Sequence, residues 1–224
     1  MADPYQAPTA KLATTKLAQA IEINNVLRNT YLLLGMTLAF SALMAFIAMA
    51  MNAPYLGLWM LIPFFALLYA VNKTANSSWG IFWVFAFTGY LGFTLGPIIN
   101  YYLQTPNGAD VVGMALGSTA MAFVGLSAFA LITRKDFSFM RGFLTVGIIA
   151  LFGIVMLSWF LDLSMFMGAI GAGVVLLMSA LILWQTSAII HGGETNYILA
   201  TTTLYMSIYN MFSWLMLLFG MGDD

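Results

Sequence analysis

The sequence predicts an all-α membrane protein: seven transmembrane helices, with the amino terminus in the cytoplasm, the carboxyl terminus on the opposite side and span 7 central in the bundle. Three observations carry this reading. First, hydrophobic residues make up 62% of the 224 residues and charged residues 7%, whereas a soluble domain carries about 25% charged residues. So few charges cannot cover a water-exposed surface, which excludes a soluble globule, a nucleic-acid binder and a disordered chain. Second, apolar runs long enough to cross a bilayer alternate with short polar breaks from residue 30 onward. Third, the basic residues fall in alternate breaks. The chain has no Cys, so disulfides, thiolate metal sites and Cys nucleophiles are excluded.

Residues 1–29 hold Asp3, Lys11, Lys16, Glu22 and Arg28 and read as a retained polar cytoplasmic tail, because no apolar run or small-residue cleavage site follows the basic residues. Leu12, Leu17, Ile21 and Leu27 trace a weak apolar stripe; a mobile tail is the expectation. The transmembrane domain, 30–220, divides into spans at 30–51, 56–71, 79–103, 111–133, 142–161, 165–190 and 197–220. Pro63 predicts a kink in the short second span. Lys11, Lys16 and Arg28 precede span 1, Lys73 follows span 2, and Arg134, Lys135 and Arg141 follow span 4. Seven spans put every Lys and Arg on one side, which the positive-inside rule makes cytoplasmic; six or eight spans break the partition. Asp110, Asp162, Asp223 and Asp224 take the other side. Trp59, Trp79, Trp159 and Trp214 lie near span ends, as an aromatic belt or as core packing.

No ionisable residue lies well inside a span, which argues against a proton-coupled pump, a voltage sensor or an aspartyl intramembrane protease. A serine protease reading would join Ser127 to His191, the chain's sole His; a cap or loop role suits a His beside Gly192 and Gly193 better. His191 and Glu194 are too few ligands for a metal site, and the sequence calls for no cofactor. The interior polar groups are neutral. Thr203, Ser207 and Asn210 share one face of span 7, flanked by Tyr205 and Tyr209, and Gln185 lies on span 6. They serve either interhelical hydrogen bonds or a water-accessible cavity. Gly92/Gly96 and Gly113/Gly117 have GxxxG spacing, and Ala169/Gly173 form a small-xxx-small pair. Gly96-Pro97, with Asn100 one turn on, marks a candidate kink or hinge.

Two stretches carry a resemblance: Gly89-Tyr-Leu-Gly-Phe-Thr-Leu-Gly-Pro-Ile-Ile-Asn100, and His191-Gly-Gly-Glu-Thr-Asn-Tyr-Ile198 continuing through Leu204-Tyr-Met-Ser-Ile-Tyr-Asn-Met-Phe212. Over about residues 26–220 the chain resembles the Bax inhibitor-1 (TMBIM) family. Leu27-Arg-Asn-Thr-Tyr31, Lys73-Thr-Ala-Asn76 and Thr133-Arg-Lys-Asp136 are similar to its bacterial YccA-like branch. The branch resemblance implies a bacterial inner membrane, a periplasmic carboxyl terminus, and a role as modulator and substrate of the ATP-dependent membrane protease FtsH. Its cytoplasmic tail, including Lys11, Lys16 and Glu22, would be the degradation handle. The wider family implies an alternative, a calcium or cation leak gated by two aspartates on the sixth and seventh helices. The matching positions are Gln185 and Ser207. Neither titrates, so the resemblance does not carry pH sensing over. For the leak reading the candidate cavity or gate is Gln185, Thr203, Ser207, Asn210, Gly96, Pro97 and Asn100. His191, Gly192, Gly193, Glu194 and Asn196 form a cytoplasmic motif.

Overall fold

From Thr9 to Leu34 the sequence holds neither Gly nor Pro and carries six Leu and four Ala, both strong helix formers. The first helix accordingly starts far before the membrane. In a computed structural model that describes the backbone of residues 6–158 and 160–223, and side chains from residue 18 to 222, α1 runs unbroken from Gln6 to Ala50. The expected irregular tail ending at residue 29 is thus helical from Gln6 onward. The side chains of Lys11, Leu12, Lys16 and Leu17 lie outside the described residues, as do Asp3, Trp159 and Asp224. On the same segment Ile21 and Glu22 are exposed, and it is Val26 that is buried, against Ile189 and Ala200.

Six further helices follow: α2 (Leu61–Thr74), α3 (Trp79–Leu103), α4 (Gly108–Thr133), α5 (Met140–Leu157), α6 (Met167–Ile190) and α7 (Tyr197–Gly220). Among the described residues six segments are long and apolar enough to cross a membrane: one in α1, one in each of α3, α4 and α5, and those ending in α2 and α6 with the 3₁₀ turn that precedes each. The seventh helix, α7, has the 24 residues of a span but is more polar, with Thr201, Thr202, Thr203, Ser207, Asn210 and Ser213 along it. Pro63 produces no interior kink, because α2 begins at Leu61 and a 3₁₀ turn, Gly57–Met60, leads into it. A first-turn residue has no intrahelical N–H bond to lose.

Burial explains how a polar helix is tolerated among apolar ones. α7 packs against α1, α2, α3, α4 and α6, while α5 packs chiefly on α6. Leu204, Tyr205 and Met211 of α7 form one core with Leu34, Val84, Phe87 and Ile182 from the surrounding helices. α1 and α3 cross in close contact. A Cβ added to Gly96 would lie 2.5 Å from the Ala48 Cβ and 2.8 Å from the Ala45 carbonyl oxygen; one added to Gly92 would collide with the Ser41 backbone. The first GxxxG pair therefore seats α1. The second does not act as expected: a Cβ at Gly113 or Gly117 meets nothing within 4 Å, and the same holds at Gly173. On α6 the close approach is at Gly171, where Leu218 and Trp214 of α7 would meet a Cβ at 3.0 and 3.1 Å. That contact makes Trp214 a packing residue, whereas Trp59 (75% exposed) and Trp79 stand on the outer surface at helix ends.

Candidate functional site

Hydrogen bonds gather three loops at one end of the bundle. Asn196 caps α7, its Oδ1 accepting from the N–H groups of Ile198 (2.9 Å) and Leu199 (3.2 Å). Its Nδ2 donates to the Ala75 carbonyl (3.0 Å) and to Asn76 Oδ1 (2.8 Å), tying the α6–α7 loop to the α2–α3 loop. Ser187 donates to the Lys135 carbonyl (3.0 Å) and accepts from the Phe137 N–H (3.1 Å), tying α6 to the α4–α5 loop. Lys73, Arg134, Lys135 and Arg141 all fall at this end, and Asp110 and Asp162 at the other.

The His191–Asn196 motif is a helix-to-helix turn. Gly192 has φ +71° and its N–H donates to the Ile189 carbonyl (3.1 Å), while the Gly193 N–H donates to that of Ala188 (2.8 Å). This is the Schellman arrangement, in which a left-handed residue lets the last carbonyls of a helix be satisfied. His191 Nδ1 lies 2.9 Å from the Ser187 carbonyl oxygen, so this nitrogen carries the proton. Glu194 accepts from the Asn196 N–H at 2.8 Å. Nearby, the backbone N–H of Ser138, and then its hydroxyl, hold the Asp136 carboxyl below the usual carboxylate range.

The α7 stripe is bonded differently from either expectation. Ser207 donates to the Thr203 carbonyl (2.9 Å), Asn210 to that of Met206 (2.8 Å) and Ser213 to that of Tyr209 (2.9 Å). Each turns back on its own helix rather than bridging to a neighbour. Gln185 (2% exposed) and Ser207 (1% exposed) are both buried but share no hydrogen bond among the described residues, and Gln185 Nε2 has no partner. Ser127 Oγ and Thr30 Oγ1 are likewise buried without partners. Gly96 and Pro97 lie within the unbroken α3, and Gly96, against Ala48, seats α1. Asn100 donates to Asn52 Oδ1 (3.3 Å) beside the end of α1.

The interhelical bonds come from the opposite side of α7. Tyr205 donates to the Thr88 carbonyl of α3 (3.0 Å), which leaves Ser41 of α1 to donate to the Tyr205 oxygen (2.5 Å). Thr94 donates to the Leu91 carbonyl (2.7 Å), so Tyr209 donates to Thr94 (3.1 Å). These partners were hidden in the sequence, although a tyrosine deep in a span signals that its hydroxyl must find one. Tyr205 and Tyr209, with Ile208 and Phe212, also form the floor of a groove of about 440 Å³ walled by α1 and α4. At 3.6 residues per turn this face lies about half a turn from the Thr203/Ser207/Asn210 stripe. A cavity beside α7 therefore exists, but the stripe does not line it.

A polar helix packed among helices long and apolar enough to cross a membrane defines a polytopic α-helical membrane protein. Residues 23–224 match the family model described as inhibitor of apoptosis-promoting Bax1, and the chain belongs to this Bax inhibitor-1 family. It is 52% identical to an uncharacterized protein of Pseudomonas aeruginosa, over 93% of this chain and 95% of the relative. It is 47% identical to the Escherichia coli protein named modulator of FtsH protease YccA, over 91% and 93%. An uncharacterized membrane protein of Vibrio cholerae is 42% identical over 94% and 96%.

Proposed function

We propose that this chain is a multi-pass inner-membrane modulator of the membrane protease FtsH and also its substrate, with α1 presenting the degradation handle to the cytoplasm. The observation that carries the reading is the 47% identity, across nearly the whole of both chains, to the Escherichia coli modulator of FtsH. The reading takes all seven helices as spans, with the basic end cytoplasmic. Helix length supports it. The 45 residues of α1 extend about 67 Å at 1.5 Å per residue, and the hydrocarbon core is about 30 Å thick. About half of the helix must therefore stand outside the membrane, and on this topology that half is the amino-terminal one, carrying Lys11, Lys16 and Glu22. An ATP-driven protease needs such a projecting segment to start unfolding a membrane-embedded chain.

No catalytic chemistry is assigned to this chain. A cation-leak function draws no support from the α7 stripe, where the Ser207 hydroxyl and the Asn210 amide N–H both donate to carbonyls of their own helix. The test is deletion of residues 2–25, following protein half-life in cells with and without FtsH. Full-length chain is expected to decay faster when FtsH is present, and the truncated chain to persist. Equal half-lives in all four conditions would sink the handle. Copurification of the truncated chain with FtsH tests association separately, and failure of both proteins to copurify under crosslinking would sink the partner.

A further inference from the structure

The groove beside α7 is a site of its own. Its walls are Ser41, Ala42 and Ala45 of α1 and Leu116, Ala120 and Val124 of α4; the floor is the Tyr205/Tyr209 face of α7 with Leu95 of α3. α1 and α4 both pack on α7 yet scarcely touch each other. They meet where the rings of Tyr31 and Phe123 approach to 6.1 Å, closing one end. Phe46 (67% exposed) and Val124 (63% exposed) stand at the mouth, so the groove opens sideways onto the surface that faces lipid. Gly113 and Gly117 continue this uncovered face of α4.

We infer that this groove holds an acyl chain of a membrane phospholipid, inserted between α1 and α4 onto the tyrosine floor. Chemistry selects the occupant. The lining is hydrocarbon apart from the Met49 thioether and four hydroxyls, and each hydroxyl already has its bond: Ser41 to Tyr205, Tyr205 to Thr88, Tyr209 to Thr94, and Thr119 to the Ala115 carbonyl at 2.7 Å. No carboxylate, imidazole or amide faces the space. A cation entering it would lose its hydration with nothing in exchange. Water needs two to four polar partners to stay in such a place. Size agrees. An apolar cavity of about 150 Å³ takes up one benzene, so about 440 Å³ has room for roughly eighteen carbons at that packing. The groove is also continuous with the lipid-facing surface, so the bilayer supplies the occupant directly. The site is independent of the protease reading.

The experiment uses the full chain in vesicles of phosphatidylethanolamine and phosphatidylglycerol, doped with a phospholipid bearing a photoreactive diazirine midway along one acyl chain. After illumination, adducts are mapped by mass spectrometry. The expected result is adducts on Thr119, Tyr205 or Tyr209, which are shielded from the outer surface, in addition to those on exposed Phe143 and Phe152. In the double variant Ala42→Phe/Ala120→Phe the floor adducts should vanish and those on Phe152 remain. Wild-type adducts confined to outward-facing residues would overturn the inference, as would floor adducts unchanged in the double variant. Because the chain has no Cys, a single thiol reports on other occupants without background. Rapid modification of Thr119→Cys by a charged, water-soluble thiol reagent would mean that the groove is wet. An Ala120→Cys disulfide dimer in the same vesicles would mean that a second copy fills it. Either result overturns the acyl chain.

Discussion

Two pairs of glycines with the same spacing should respond oppositely to the same substitution. In Gly96→Ala the new methyl would stand 2.5 Å from the Ala48 Cβ, 2.8 Å from the Ala45 carbonyl oxygen and 3.1 Å from the Met49 N. Carbon atoms rest at about 3.5–4.0 Å, so the helices must part by about 1 Å. Two of the three obstructing atoms belong to backbone, which cannot rotate aside. Overpacking of this kind costs about 1–3 kcal/mol. Gly92→Ala meets the Ser41 backbone and belongs in the same range. At Gly113 and Gly117 nothing lies within 4 Å. There alanine costs no packing and removes the helix penalty of glycine, about 1 kcal/mol in water. The assay is reversible denaturation of purified protein in mixed micelles, read by circular dichroism. Gly96→Ala should lose about tenfold or more in the folding equilibrium constant, since 1.4 kcal/mol is tenfold, while Gly113→Ala and Gly117→Ala should hold or gain. Equal losses at all four positions would refute the reasoning, because they would mean that spacing alone governs.

The remaining predictions use the same assay. Tyr205→Phe removes the donor to Thr88 and the acceptor of Ser41 and should cost about 1–2 kcal/mol; no loss would mean that these bonds are not made in the membrane. Asn196→Ala removes the α7 cap and both ties to the α2–α3 loop, with an expected cost of about 1–2 kcal/mol, and proteolysis of the loop containing Asn76 should quicken. Gly192→Ala forces a methyl group onto a backbone with φ +71° and should cost about 1–2 kcal/mol, whereas Gly173→Ala, with no neighbour and no positive φ, should not. Gln185→Leu deletes a buried amide nitrogen that has no partner, so stability should hold or rise; a loss above about 1 kcal/mol would show that Gln185 is engaged.

Much of the helical layout was legible in the chain. Polar breaks divide the apolar runs close to the observed termini, and the third and seventh spans match α3 and α7 at both ends. Polar composition hides the extension of α1, because a segment free of Gly and Pro needs no apolar face to remain helical when it continues a stable helix. The expected kink at Pro63 is absent because the α-helix begins at Leu61, which puts the proline in its first turn. Gly113/Gly117 and Ala169/Gly173 carry the same pattern as Gly92/Gly96, yet only the last pair meets a neighbour. Spacing defines a face and leaves open what stands opposite. The groove follows the same rule: Thr203, Ser207 and Asn210 share a face, but the groove lies on the face of Tyr205 and Tyr209.

By itself, then, the sequence determined the solvent, the helices and the distribution of charge between the two ends, because those follow from hydropathy and charge accumulated along the chain. Only the tertiary structure decided which polar groups answer one another. A hydroxyl on α7 can bond its own helix or α1 or α3 at similar cost, and the choice depends on which helices stand beside it. The same placement leaves α1 and α4 flanking α7 without closing on each other, and that gap is the groove.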